Sequence, residues 1–323
     1  MTAGAPPGPV LVTADAVGGV FPYSLELSRG IVARGGRVVL AVLGPAPSAA
    51  QRAAVAAIES VELVTVPGKL EWMDDPWDDV ARAGEALLAL EARTRPSVVH
   101  LGGYAHAALP FRSPKLVVGH SCVVSWWRAS WGAEPPPVWE RYRREVRRGL
   151  DAADLVVTPT RAMQGDLERC HGPLRHTRVI RNGRSARLFP PGRKEPFVLA
   201  AGRLWDRAKN LESLARAAPR LPWPVRVAGD LGDAAAPAGV EALGRLDEAA
   251  LAAAYGRAAI YALPARYEPF GLSVLEAALA RCALVLGDIP SLREIWNGAA
   301  LFVPPDDENA IADAIARFRS LRL

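Results

Sequence analysis

The sequence has few cysteines and no long hydrophobic run, and each shortage excludes a class of protein. Its three cysteines, Cys122, Cys170 and Cys282, are odd in number and lack the spacing of zinc ligands. They predict reduced thiols rather than a disulfide framework. No apolar run approaches the roughly 18 residues that a membrane-spanning helix requires. The first residues lack both the basic start and the apolar segment of a secretory signal, so we expect a cytoplasmic protein.

Lysine is also scarce, because only four of the 39 basic residues are lysines and arginine supplies the rest. Against 34 acidic residues the net charge is +5, which is too small an excess in a chain of this length to predict nucleic acid as a partner. Guanidinium groups donate in a bidentate fork and suit phosphate-bearing partners. The arginine bias therefore favours a phosphate-bearing partner.

The 323 residues are enough for two domains of about 150 residues each. Short β-branched runs alternate with helical patterns, which predicts doubly wound parallel sheets and two Rossmann-like domains facing a central cleft. The predicted strands are Val10–Ala14, Arg37–Leu43, Val61–Val66, Ser97–Leu101, Leu116–Gly119, Leu155–Thr158, Phe197–Ala201, Val225–Ala228, Val240–Leu243, Ile260–Leu263, Ala283–Leu286 and Leu301–Val303. The pattern breaks between Ile180 and Gly192, which predicts domains of residues 1–190 and 191–323.

The most informative stretch is Arg266–Glu276, which reads Arg-Tyr-Glu-Pro-Phe-Gly-Leu-Ser-Val-Leu-Glu. A predicted strand ends at about Leu263 and a helix begins after Gly271, so free backbone N–H groups near Leu272 and Ser273 would form an anion site. Glu276 lies about one turn into this helix. A carboxylate there can accept two hydrogen bonds from a sugar diol.

This stretch resembles the signature of the retaining GT-B glycosyltransferases of glycosyltransferase family 4, in which seven residues separate two glutamates, here Glu268 and Glu276. Other segments of the chain match the family in order, so the resemblance covers nearly its whole length. They are Gly18-Gly19-Val20, His120, Ala153–Thr160, Val179–Gly183, Gly202-Arg203-Leu204, Lys209-Asn210-Leu211, Gly287–Glu294 and Val303–Asp306.

For the second domain, the resemblance implies a binding site for a nucleoside-diphosphate sugar. Arg203 and Lys209 would stabilise the negative charge that develops on the leaving diphosphate. Glu268 would bind a hydroxyl of the donor sugar and Glu276 the ribose hydroxyls. The backbone near Leu243 would contact the base of the donor. The helix start at Gly271, Leu272 and Ser273 also belongs to the expected donor-binding set.

For the first domain, the resemblance implies the acceptor side of the reaction. His120 would lie beside the transferred sugar as a positioning residue with a catalytic effect, which completes a catalytic set with Arg203, Lys209 and Glu268. Gly18 and Gly19 form the first strand-to-helix turn, where the absence of a side chain lets the chain approach the phosphate or the acceptor. The departing phosphate would help to deprotonate an acceptor hydroxyl, so the resemblance implies neither cofactor nor metal.

Two weaker patterns follow His120. Trp126, Trp127, Trp131 and Trp139 would form an acceptor wall, or would instead pack under the Pro135–Pro137 loop. A predicted helix that begins near Val138 carries basic residues that would contact anionic lipid or a phosphorylated acceptor, making the protein membrane-peripheral, or would form a solvated face. These are Arg141, Arg143, Arg144, Arg147 and Arg148.

Several alternatives stay open at this point. Asp74-Asp75 and Asp78-Asp79 suggest an Asp-x-Asp metal site, although a helix start enriched in acids is the better interpretation. A nucleotide-sugar epimerase of the same fold and a non-catalytic sugar-nucleotide-binding subunit are the alternative functions. A nicotinamide enzyme is disfavoured because Gly18-Gly19 is not a Gly-x-Gly-x-x-Gly turn. Relatives usually continue past the last helix with a bracing tail, so an end at Leu323 leads us to expect looser domain closure and leaves full activity open.

Overall fold

The computed structural model describes residues 8–232 and 235–318. The chain divides into two compact units, of which the first runs to Trp127 and resumes over Glu134–Arg181. The second comprises Arg128–Ala133 and the chain from Asn182 onward. Each unit contains one parallel sheet with helices between its strands, which confirms the predicted fold class of two doubly wound α/β domains.

The first unit is built on a seven-stranded sheet with the strand order β3-β2-β1-β4-β5-β6-β7. Its strands are β1 (Val10–Asp15), β2 (Val38–Gly44), β3 (Val61–Pro67), β4 (Val98–Leu101), β5 (Lys115–Val118), β6 (Leu155–Thr158) and β7 (Thr177–Val179). The helices of this part of the chain are α1 (Val20–Val32), α2 (Ala49–Ala56), α3 (Trp77–Thr94), α4 (Val123–Trp131), α5 (Glu140–Ala152) and α6 (Arg161–His171).

The second unit is built on a six-stranded sheet with the order β10-β9-β8-β11-β12-β13. Its strands are β8 (Glu195–Arg203), β9 (Val225–Asp230), β10 (Val240–Gly244), β11 (Ala258–Leu263), β12 (Ala283–Gly287) and β13 (Leu301–Val303). Its helices are α7 (Leu211–Ala217), α8 (Glu248–Arg257), α9 (Leu272–Leu279), α10 (Pro290–Trp296) and α11 (Glu308–Arg317).

The central strand β8 shows why these segments form strands. Phe197 and Leu199 pack into one buried cluster, whereas Val198 and Ala200 pack into another on the opposite face of the sheet. Successive side chains of a strand point to opposite faces, so a strand covered by helices on both sides is apolar throughout. The continuous apolar runs of the sequence are therefore the buried parallel strands.

All twelve predicted strands are present, with ends within two residues of the predicted ones. Strand β7 was not predicted from the sequence. It has only three residues, one of them the exposed Arg178, and these do not form an apolar run. The predicted helix at Val138 begins at Glu140, after a short 3₁₀ turn over Pro137–Trp139. The three cysteines, all within the described residues, are in the reduced form and not in disulfides, as predicted.

In both sheets the carboxyl ends of neighbouring strands lie at one edge, where a doubly wound fold binds its ligands. The loops that follow β1, β4 and β5 meet at this edge in the first unit, and those that follow β8, β9 and β11 meet there in the second. Within the described ranges of the chain, none of the helices combines the length and apolar character needed to span a bilayer.

Candidate functional site

The helix α9 begins directly after Gly271, as predicted, and this glycine adopts a backbone conformation that other residues avoid. Its φ is +87°, and a Cβ at this position would lie 2.9 Å from Cγ2 of Val274. Both facts favour glycine. Among the residues that the structure describes, none accepts a hydrogen bond from the backbone N–H groups of Leu272 and Ser273. The start of α9 therefore presents the free donors that an anion site needs.

Glu268 and Lys209 form an ion pair beside this helix start. Glu268 Oε2 lies 2.5 Å from Lys209 Nζ, and Glu268 Oε1 accepts a hydrogen bond from the Gly271 N–H at 2.8 Å. The two side chains are only 12% and 16% exposed. The first glutamate of the motif is thus held between a cation and the helix start, with its carboxylate fixed on both sides.

Two neighbours fix Lys209 in turn. Asp206 caps the 3₁₀ turn Arg207–Lys209 by accepting a hydrogen bond from the Ala208 N–H. Asn210 has the left-handed backbone angles φ 58° and ψ 42°, which asparagine tolerates better than most residues. Its side-chain amide donates to the carbonyl oxygens of Pro264 and Pro305, at 2.8 Å and 2.6 Å. Lys209 therefore sits on a turn that is anchored to the loops after β11 and β13.

Arg203 ends β8 and also has an acidic partner. Its guanidinium lies 3.3 Å from the Asp206 carboxylate and 5.6 Å from the centre of the Trp205 ring. Backbone N–H groups of Leu204 and Trp205 donate to the carbonyl oxygen of Asp230, at the end of β9. The loop of Arg203 is thus tied to the neighbouring strand, and the Trp205 ring is 45% exposed beside the cation.

Glu276, the second glutamate of the motif, pairs with an arginine that the sequence analysis missed. Arg184 Nε lies 2.9 Å from Glu276 Oε1, and the same guanidinium lies 2.6 Å from Glu248. The Arg184 side chain is 2% exposed and stacks on Phe189. Burial raises the pKa of Glu276 to about 7, against the lowering effect of Arg184. The expected ribose-binding carboxylate is therefore nearly buried and already has a charged partner.

Two further residues of the predicted donor-binding set are Ser273, at the start of α9, and Leu243, in β10. The Ser273 hydroxyl lies 2.8 Å from the buried Tyr261 hydroxyl. Leu243 lies on the edge strand β10, and the pairing of β10 with β9 skips it, so Leu243 forms a bulge. A bulged residue leaves its backbone groups outside the ladder, and the Leu243 side chain is 38% exposed. The backbone of Leu243 is therefore open to a ligand.

In the first unit, His120 follows β5 and packs against Tyr23 of α1. The ring centres of His120 and Tyr23 lie 4.5 Å apart, with an interplanar angle of 70°. The Tyr23 hydroxyl lies 3.1 Å from Nε2 of His100, a buried residue of β4. Gly18 and Gly19 form the turn between β1 and α1, and the Gly19 carbonyl accepts the Tyr23 N–H at 3.1 Å.

The tryptophans that follow His120 make several ring contacts. Trp126 and Trp127 contact each other edge to face in α4, with ring centres 6.0 Å apart. Trp139 packs on Tyr142. Trp131 belongs to the second unit. There the Arg207 guanidinium carbon lies 4.2 Å from the centre of the Trp131 ring. The proposed acceptor wall of Trp126, Trp127 and Trp131 stays a prediction.

The basic helix α5 has most of its charge balanced nearby. Arg143 pairs with Glu134, Arg147 with Asp151 and Arg148 with Glu145, while Arg141 stacks on the ring of Trp77. This pairing is typical of a solvated helix face. Membrane contact through Arg141–Arg148 stays a prediction.

The acidic segment before α3 is a helix start, as the sequence analysis preferred, since Asp78 and Asp79 lie in the first turn of α3. Within residues 8–232 and 235–318, no three His, Cys, Asp or Glu side chains group closely enough to hold a metal ion. The expectation that the reaction needs no metal stays a prediction.

Arg184, Tyr23 and His100 are the residues that sequence reasoning missed. Arg184 directly follows the matched segment Val179–Gly183. This adjacency is the sequence feature that could have identified Arg184 as a site residue. Tyr23 and His100 lie 77 positions apart, and only the strand order β1-β4-β5 brings them together.

The chain matches two family patterns, one in each half. Residues 17–186 match glycosyltransferase family 4, and residues 195–320 match the glycosyl transferases group 1. Among solved structures it is similar to sucrose-phosphate synthase from Thermosynechococcus elongatus, with a TM-score of 0.79 and 22% identity over 96% of this chain and 89% of that chain. It is also similar to Anabaena HepE in complex with UDP-glucose, with a TM-score of 0.75 and 15% identity over 97% of this chain and 90% of that one. These two likenesses establish the GT-B fold.

A curated relative, glycogen synthase of Mycobacterium tuberculosis H37Rv, is 32% identical in an alignment of 186 positions that covers 50% of this chain and 45% of the relative. The chain thus spans about half the length of the curated relatives it matches. Because the family pattern over residues 17–186 covers more than half of its 323 residues, the chain belongs to glycosyltransferase family 4.

Proposed function

We propose that this protein transfers a hexosyl group, with retention of anomeric configuration, from a nucleoside-diphosphate sugar to an acceptor hydroxyl. The observation that carries the proposal is the Lys209–Glu268 pair at the start of α9. A cation, a fixed carboxylate and free backbone donors lie together there. That combination suits a ligand with an anionic diphosphate and a hydroxyl-bearing sugar.

The second unit supplies the charges that the leaving group needs. As the bond between the anomeric carbon and the diphosphate oxygen breaks, negative charge develops on the diphosphate. Arg203, Lys209 and the start of α9 stabilise this charge in the transition state more than in the ground state. The acceptor oxygen bonds to the anomeric carbon on the same face, and its proton passes to the departing phosphate oxygen.

The other donor contacts follow from the same geometry. Glu268 accepts a hydroxyl hydrogen bond from the sugar, and Glu276 accepts those of the ribose once it shares or exchanges its contact with Arg184. The bulge at Leu243 offers backbone groups to the base. In solved structures HepE is bound to UDP and to UDP-glucose, which makes uridine diphosphate sugars the first donors to test. In the first unit, His120 is the residue that contacts the transferred sugar, on the acceptor side of the reaction.

The test is release of nucleoside diphosphate from a panel of nucleoside-diphosphate sugars with hydroxyl acceptors, together with NMR assignment of the product anomer. We expect at least a tenfold lower release rate for Lys209→Ala and for Glu276→Ala, because each removes a group that binds the donor. Lys69→Ala is the matched control, since the Lys69 ammonium donates to the loop carbonyl oxygens of Asp74 and Asp75 and belongs to the first unit.

The outcomes separate the alternatives. Wild-type turnover in both Lys209→Ala and Glu276→Ala would contradict the assigned site, and a product of inverted configuration would contradict retention. Conversion of the donor sugar to its epimer without acceptor would show an epimerase. Donor binding by calorimetry without turnover to any acceptor or water would show a non-catalytic binding subunit.

A further inference from the structure

The rings of Tyr23, His100 and His120 lie together in the first unit, at the carboxyl ends of the strands. Tyr23 lies in the first turn of α1, His100 lies in β4, and His120 lies two residues after the end of β5. The Tyr23 ring contacts both imidazoles, edge-on to His120 at 4.5 Å and stacked with His100 at 5.8 Å. Its hydroxyl also bonds His100 Nε2 at 3.1 Å. Tyr23 is therefore the link between the two histidines.

Each histidine has a buried nitrogen without a partner among the described residues. These nitrogens are Nδ1 of His100 and Nε2 of His120. A buried polar atom normally has a hydrogen-bond partner, and an unpaired one calls for an explanation. On His120, which is half-buried and follows β5 at the ligand-binding edge, a ligand hydroxyl is the natural partner.

The group is uncharged near neutral pH. Burial lowers the pKa of His120 to about 3, with a further lowering by His100, and burial also lowers the pKa of His100 to about 4. Burial raises the pKa of Tyr23 to about 12. A neutral imidazole has one donor and one acceptor nitrogen, and so matches a sugar hydroxyl, which both donates and accepts.

We propose that Tyr23 and His100 are positioning residues, which hold the imidazole of His120 so that its unpartnered nitrogen meets a hydroxyl of the bound sugar. This inference rests on the proposed function. The Tyr23 ring limits the tilt of the His120 ring, since an edge-to-face contact at this distance leaves little room for rotation. The hydrogen bond between the Tyr23 hydroxyl and His100 Nε2 fixes the Tyr23 ring against the strand β4, as the supporting contacts of a preorganised site do.

The activity test is a double-mutant cycle in the nucleoside diphosphate release assay. We expect His120→Asn to lower kcat about a hundredfold and Tyr23→Leu about tenfold. Tyr23→Phe keeps the ring but loses the hydrogen bond to His100, so we expect it to lower kcat about threefold. His100→Phe removes the same hydrogen bond and should lower kcat by about the same factor, whereas wild-type kcat in both variants would overturn the positioning role of His100. His176→Asn, which changes an exposed histidine of the same unit, is the matched control.

The decisive comparison is the double variant Tyr23→Leu/His120→Asn. If Tyr23 acts through His120, adding Tyr23→Leu to His120→Asn causes no further loss of kcat. A further tenfold loss in the double variant would overturn the proposal, because it would show that Tyr23 acts independently. Thermal midpoints of each variant identify losses that arise from unfolding.

A second readout does not depend on activity. The chain has five histidines, so ¹⁵N-histidine NMR can resolve the ring nitrogens, with His120→Asn assigning the His120 signals. We expect one neutral tautomer of His120 in the wild type and a tautomer mixture in folded Tyr23→Leu. Unchanged His120 signals in Tyr23→Leu would overturn the positioning role. If the wild type transfers no sugar, the proposed function fails, whereas this spectrum still decides the role of Tyr23.

Discussion

The two units hold their candidate site residues by opposite means. In the first unit His120, Tyr23 and His100 are uncharged and are held by ring contacts and one hydrogen bond. In the second unit the site cations Arg203, Lys209 and Arg184 each have a carboxylate partner, in Asp206, Glu268 and Glu276 respectively. Under the proposed function, this difference would suit the second unit to a charged ligand that replaces existing ion pairs when it binds. The first unit would suit an uncharged, hydroxyl-bearing group.

The largest effect should come from removing the most buried cation of the second unit. Arg184→Met leaves the nearly buried Glu276 without its partner, so we expect the free energy of unfolding to fall by about 3–5 kcal/mol. Arg148→Met is the matched control, because the Arg148–Glu145 pair lies on an exposed helix face, where such pairs contribute less than about 1 kcal/mol. Denaturant titration of both variants measures the difference. Equal losses would show that Arg184 does not act as a buried partner.

A second effect concerns the pH dependence of donor binding. The pKa of Glu276 is about 7, so its ionised fraction rises about tenfold between pH 6 and pH 8. If the ionised carboxylate binds the ribose, donor affinity rises by about the same factor over this range, and Glu276→Gln removes the dependence. Calorimetry with the donor sugar at several pH values measures it. A pH-independent affinity in the wild type would argue against Glu276 as the ribose ligand.

The free energy of unfolding should fall as the pH rises, whereas the donor affinity should increase. Burial raises the pKa of Glu276 above its ordinary value of 4.5, so the folded protein binds this proton more tightly than the unfolded chain does. The stabilisation is complete below about pH 4.5 and is lost as the pH rises through about 7. The wild type should therefore lose stability relative to Glu276→Gln across this window. The opposite slope would show that Arg184 dominates over burial.

The smallest effect is expected on the outer face of α5. Three of its five arginines are already paired with acidic residues, whereas Arg144 is exposed. Arg144→Gln should lower binding to anionic lipid vesicles by no more than about fivefold and should leave donor turnover unchanged. Co-sedimentation with vesicles of phosphatidylglycerol measures this. A loss of all vesicle binding would instead establish α5 as a membrane contact.

The sequence predicted the strands and the charged motif, but not the contacts between them. Apolar runs such as Phe197–Ala201 identify strands because both faces of the sheet are buried. Glu268 and Lys209 could be named as site residues from their motifs, yet their pairing depends on a turn that Asn210 anchors to distant loops. Arg184 gives no sign of burial in the sequence, because arginine is usually exposed and its partner Glu276 lies on another element.

Asn210 has a consequence for exchanging parts between related enzymes. Its buried amide joins the end of β11 to the loop after β13, through the carbonyl oxygens of Pro264 and Pro305. Glycine would suit the left-handed backbone of this position equally well, but it would release both loops. Grafting the segment after β13 from a relative would thus shift the turn that carries Lys209, although the two are 95 positions apart. These loops are therefore structurally coupled and would have to be exchanged together.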